Sequence, residues 1–124
     1  MENGRANYKS ARTKNRELKM ENEFLKTEEE IVKALKTVYD PEIPVNIYDL
    51  GLIYRIEIDN GKNVRIDMTF TSPACPVADF IIEDVRKKVE NIDEVKSAQI
   101  NLVFEPEWNK DMMTDEAKLE LGML

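Results

Sequence analysis

Apolar side chains recur along the chain in two rhythms, and the switches between them mark the elements. Ile31, Leu35 and Val38, with Val32 and Tyr39 alongside, keep the three-to-four spacing of a helix that buries one stripe. Thr27 followed by Glu30 forms a capping box, so this spacing predicts a first helix from Thr27 to about Tyr39. Asp40-Pro41 ends it, because the residue before a proline is pushed out of the helical region. From Leu52 the period falls to two. Leu52, Tyr54, Ile56 and Ile58 alternate with Arg55, Glu57 and Asp59, and Val64, Ile66, Met68 and Phe70 alternate on the return. Asn60-Gly61 supplies a tight hairpin turn between two antiparallel strands. Ala78, Ile81, Ile82, Val85, Val89 and Ile92 restore the helical stripe, with Lys87 and Lys88 placed to complement the helix dipole near its end. Ala98, Ile100, Leu102 and Phe104 then alternate against Ser97, Gln99 and Asn101 as a third strand, terminated by Pro106. A short helix from Thr114 to Leu121 stops at Gly122.

Helix, strand, strand, helix, strand and a short C-terminal helix, with one-sided strands, predict an α+β fold: a small two-layer sandwich whose sheet carries helices on one face. The segment from Asp40 to Gly51 has two prolines and neither period, and is a loop.

Composition narrows the functional classes. The 124 residues suffice for one domain and one core. No apolar run approaches the ~20 residues of a membrane span. One cysteine excludes an internal disulfide and fits the reducing cytoplasm. There is no histidine, so Cys-His pairs, Ser-His-Asp triads and histidine zinc sites are excluded together. No catalytic residue is assigned, and the chain is not expected to be an enzyme. Residues 1–19 carry six Lys/Arg against Glu2 and Glu17, a net +4 that leaves −11 on the remainder of a chain of net −7. We divide the chain into a basic, disordered leader, residues 1–26, and a domain, residues 27–124. The acidic domain repels nucleic-acid phosphate and suits protein or cation partners.

The lone cysteine, Cys75, sits in Thr71-Ser72-Pro73-Ala74-Cys75-Pro76, between a strand and a helix. A proline directly after it fits the first helical position and places Cys75 at the N-cap, where unpaired N–H groups and the helix dipole favour the thiolate. The competing reading is a small buried hydrophobe. The preceding loop carries Asp40, Glu42 and Asp49. If the two loops meet, these carboxylates, the Thr71 hydroxyl and the Cys75 thiolate converge in a donor set suited to holding iron transiently. Turn chemistry alone also accounts for the first loop, with Asp40 capping a turn and Gly51 supplying a positive φ.

The string Asp40-Pro41-Glu42-Ile43-Pro44-Val45-Asn46-Ile47-Tyr48-Asp49-Leu50-Gly51-Leu52-Ile53-Tyr54, joined to Thr71-Ser72-Pro73-Ala74-Cys75-Pro76, resembles the iron–sulfur cluster assembly domain family that includes SufT and PaaD. The resemblance spans about Glu28 to Phe104 and extends to a tail with Trp108, Met112 and Thr114-Asp115-Glu116-Ala117. It implies a small helix-flanked sheet, a role in maturing iron–sulfur proteins, and Cys75 as the reactive cysteine. It also raises Asp40, Glu42, Asp49 and Thr71 from turn formers to site residues, with Cys75 as the metal contact. PaaD-type members carry further cysteines after this point and carrier-type members continue into a P-loop ATPase. This chain has neither, so a stand-alone SufT-like member fits.

The expected function is therefore a transient iron–sulfur cluster carrier, or an adaptor between an assembly scaffold or carrier and apo-client proteins, with a homodimer as one route to a complete ligand set. The alternatives are a PaaD-like accessory protein for an oxygenase, and a thiol redox sensor built on Cys75, which would lack a resolving cysteine.

Overall fold

The computed structural model of the chain describes residues 21–72 and 77–124. Its elements are helix α1 (residues 21–35), strands β1 (Ile53–Ile58) and β2 (Asn63–Met68), helix α2 (Ala78–Glu90), strand β3 (Ser97–Leu102), a 3₁₀ turn (Lys110–Met112) and helix α3 (Asp115–Glu120). The sheet order is β1-β2-β3, with β1 antiparallel and β3 parallel to β2. A parallel neighbour requires a crossover, and α2 supplies it.

Register turns the strand periodicity into a core. Three apolar rows cross the sheet: Ile53, Met68 and Leu102; Ile56, Ile66 and Ile100; Ile58, Val64 and Ala98. Ile31 and Leu35 of α1 and Ile81, Val85 and Val89 of α2 are buried with them. Each such aliphatic side chain contributes roughly 1.5–3 kcal/mol on full burial. The opposite face is polar. Arg55 lies across from Asp67 and Glu57 from Arg65, and Asn101 Nδ2 donates to Asp67 Oδ1 at 3.1 Å. The two layers expected from the sequence are present, with the second sheet face left to solvent.

Several local expectations are corrected. Thr27 is not an N-cap: α1 is already helical from residue 21, and Thr27 Oγ1 donates to the Glu23 carbonyl at 3.0 Å inside the helix. Phe24 and Thr27, one turn apart, line a cleft with Ile58, Asn60 and Lys62 at the hairpin end. Residues 21–26, assigned to the leader from sequence, are thus helical. The same helix ends at residue 35 rather than near Tyr39, which instead bridges to Asn46. In β1 the pairing shifts between Ile53 and Arg55, so Ile53 takes the inward place opposite Met68 that strict alternation gives to Tyr54. The hairpin loop has three residues: Asp59 N–H donates to the Asn63 carbonyl, and the positive φ of 62° falls on Lys62 rather than on Gly61. Finally, β3 ends at Leu102, leaving Phe104 outside the ladder and about half exposed.

Past β3 the chain straps back across the start of β1. Val103 N–H donates to Met68 O at 2.8 Å, Tyr54 Oη donates to Pro106 O at 2.7 Å, and Thr114 N–H donates to Asp49 O at 2.8 Å. Thr114 caps α3, its Oγ1 accepting from Ala117 N–H at 3.2 Å, and Gly122 closes the helix at φ 72°. On the outer edge of the sheet the Ala98 amide donates to Glu90 Oε1 of α2 at 3.4 Å.

Candidate functional site

The loop between α1 and β1 is held by its own side chains. Asp40 is buried, and its Oδ1 accepts from the amides of Glu42 and Ile43 at 2.8 and 2.9 Å, an Asx turn that Pro41 stiffens. Glu42 therefore projects outward from a fixed backbone and is exposed. Asn46 and Asp49 interlock: Asn46 Nδ2 donates to Asp49 Oδ2, and Asp49 N–H donates to Asn46 Oδ1, both at 2.8 Å. Val45, Ile47 and Leu50 turn inward and are buried, which anchors the loop to the core. Both aspartates of the expected site thus serve the loop's own shape, with one oxygen of each carboxylate held by donors of the loop.

Gly51 ends the loop at φ 82°, and a Cβ built there would stand 2.2 Å from the Met112 carbonyl oxygen. Only glycine permits that approach of the strap. Beside it, Trp108 Nε1 donates to Leu50 O at 2.7 Å. Burial raises the Tyr54 hydroxyl pKa above its ordinary value, in keeping with a donor held by Pro106 O.

Thr71 follows β2 at the same end of the sheet. Thr69 N–H donates to Leu52 O at 2.9 Å, which ties the exit of β2 to the entry of β1. Thr69, Phe70 and Thr71 form one side of a cavity of about 200 Å³; Phe104, Glu105, Glu107 and Trp108 form the other. Trp108 therefore stands between the two loops, bonded to the Asp49-Leu50-Gly51 end of one and sharing a cavity with Thr71 of the other. No hydrogen bond among the described residues joins Asp40 or Glu42 to Thr71.

Cys75, both as reactive thiol and as metal contact, lies outside the described residues, as does the rest of 73–76. Its expected N-cap role is corrected by the position at which α2 begins. The cap of α2 is Val77, with φ −109° and ψ 15°, and Ile81 N–H donates to the Val77 carbonyl at 3.1 Å. The helix starts two residues later than the Cys-Pro pair predicts. Among the described residues no three acidic or thiol side chains cluster as a metal site.

The sequence gives no site role to Thr69, Glu105 and Glu107, and gives Phe104 only a place in the third strand. Their only signal is a lone tryptophan in the polar, proline-containing stretch Glu105-Pro106-Glu107-Trp108.

The fold and these loops can be set beside known proteins. A family model described as "Iron-sulfur cluster assembly protein" matches residues 28–102. The chain belongs to that family. The matched span holds the Asp40–Gly51 loop, all three strands and α2, so the iron–sulfur cluster assembly family accounts for the loops as well as the sheet. The chain is similar to the "Fe-S protein maturation auxiliary factor" of Porphyromonas gingivalis, 65% identical over 105 residues that cover 85% of this chain and 100% of the relative. It is also similar to "Fe-S protein maturation auxiliary factor SufT" of Staphylococcus aureus, 40% identical over 86 residues, 69% of this chain and 98% of that one. A crystal structure of a domain of unknown function from Bacillus anthracis superposes with a TM-score of 0.73 at 39% identity, over 79% of this chain and 93% of the other. The strap and α3 lie beyond the matched family span, yet the 85% shared with the P. gingivalis relative exceeds that span.

Proposed function

We propose that this protein acts in the maturation of iron–sulfur proteins as an adaptor that passes iron or a cluster between an assembly partner and apo-clients, with Cys75 as the transient contact. The observation that carries this reading is the 65% identity extending over the whole of a relative named as a maturation auxiliary factor. Longer relatives named "Iron-sulfur cluster carrier protein" share the domain over 20–23% of their own length, which supports cargo handling as its general use.

The donor inventory favours passage over storage. A cluster takes four protein ligands, mostly thiolates, and one chain offers a single cysteine and no histidine. Asp40 and Asp49 are engaged in turn bonds, so the two loop aspartates are committed to the loop's shape. The cargo would therefore complete its coordination from a partner, and the factor needs no turnover of its own. Asp40 and Asp49 serve by shaping the loop, Glu42 and Thr71 by facing the partner. A reducing cytoplasmic setting suits a lone functional thiol, and no helix among the described residues is long and apolar enough to cross a membrane.

Anaerobic reconstitution with iron and sulfide, following visible absorbance and elution volume for the native protein and Cys75→Ser together, tests this. A Cys75-dependent chromophore supports direct contact with the cluster. Full maturation of client enzymes by Cys75→Ser would remove the thiol from the mechanism.

A further inference from the structure

We infer that the cavity between the end of β2 and the strap is a receptor for an arginine side chain of a partner protein. Its acceptors and its walls both point that way. Glu105 and Glu107 bring two carboxylates, and among the described residues no Lys or Arg lines the cavity to neutralise them. Thr69 and Thr71 bring two hydroxyls with no hydrogen-bond partner among the described residues. Thr69 is only 2% exposed, and no sealed side-chain oxygen among the described residues lacks a partner. Its unpaired hydroxyl therefore opens onto the cavity it lines. A hydroxyl open to the cavity in this way can accept from a donor that enters it.

Phe70, Phe104 and Trp108 supply aromatic walls, and the Trp108 ring is fixed because its N–H is already given to Leu50 O. A group that stacks flat on rings while presenting several N–H donors in its own plane is a guanidinium; an ammonium does neither as well. The size agrees. At about 200 Å³ the cavity falls below the roughly 300–1,000 Å³ of pockets for drug-sized ligands and suits the head of one side chain. The net −11 outside residues 1–19 draws basic partners toward it. That the arginine belongs to a maturation partner rests on the function proposed above; the receptor itself does not.

Trp108 is the only tryptophan, so its emission reports occupancy directly. The full chain is titrated with the blocked peptide acetyl-Gly-Arg-Gly-amide, and with peptides carrying citrulline or lysine in place of arginine. A saturable change with arginine is expected, weaker by about tenfold or more for citrulline and lysine and in Glu105→Gln/Glu107→Gln, and diminished by salt. A Glu116→Gln/Glu120→Gln protein, altered on α3, should respond like the native one. No saturable change, an equal response to citrulline or lysine, or indifference to the Glu105/Glu107 substitutions would each overturn the assignment. The titration contains no iron, sulfide or client. Its failure leaves the Cys75 reading intact, and a fully active Cys75→Ser leaves the receptor intact.

Discussion

Trp108 donates its indole N–H to the carbonyl of Leu50, 58 residues earlier, at 2.7 Å. That bond joins the strap to a loop anchored in the core, since Leu50 is fully buried. Trp108→Phe keeps an aromatic wall but leaves the carbonyl without its donor. We expect a loss of about 1–3 kcal/mol, read as a lower urea midpoint by circular dichroism with an unchanged m-value. An unchanged midpoint would mean that solvent replaces the indole at no cost.

Gly51 is the tightest point of the same junction. Gly51→Ala sets a methyl against the Met112 carbonyl at a backbone angle L-residues avoid, so it should cost about 2–5 kcal/mol. The Trp108 emission should move to longer wavelength as the strap lifts. A stability within about 0.5 kcal/mol of native would show that the strap rests there loosely.

Lys62 holds a positive φ of 62° in the hairpin loop. Its N–H donates to Asp59 O and its carbonyl accepts from Lys96 N–H, and both bonds are backbone groups that any residue retains. Lys62→Gly therefore relieves the left-handed conformation while keeping both hydrogen bonds, and should raise stability by about 1 kcal/mol. A fall in the thermal midpoint would assign the lysine side chain a contact of its own.

Asp59 governs the acid response of this hairpin. The Asn63 backbone N–H and then its side-chain amide donate to the carboxylate, holding its pKa below the usual value. A pKa lowered on folding stabilises the fold above the unfolded-state value and loses that stabilisation as pH falls through the folded one. The stability gap between native protein and Asp59→Ala should thus be largest near neutrality and shrink below about pH 4. A gap independent of pH would place the effect in turn geometry instead of charge.

Most of the sheet was legible because its signal is local: Ile56, Ile58, Val64, Ile66, Ala98 and Ile100 all face where period two puts them. The caps of α3 were legible for the same reason, as Thr114 and Gly122 act within one turn of their own positions. What escaped depends on distant partners. Thr27 has the composition of a cap, but it is buried beside the cleft at the hairpin end and its hydroxyl turns back to the Glu23 carbonyl within a continuing helix. Ile53 displaces Tyr54 because a bulge is a property of the pair of strands, not of either one. The strap could not be foreseen, since Trp108 and Leu50 meet only after everything between them has folded. Of the candidate site, the Asx turn at Asp40 was readable from Asp-Pro, whereas the acceptors around Thr69 depend on tertiary placement.

Strand β3 is six residues, Ser-Ala-Gln-Ile-Asn-Leu, with no charge, no proline and no irregularity in its pairing with β2. Such an edge is an open template on which further strands, and eventually fibrils, grow. Glu90 reaches over from α2 and occupies the Ala98 amide. An incoming strand would have to evict that carboxylate from near the start of its landing site, so the guard on this uncharged edge is borrowed from the helix beside it.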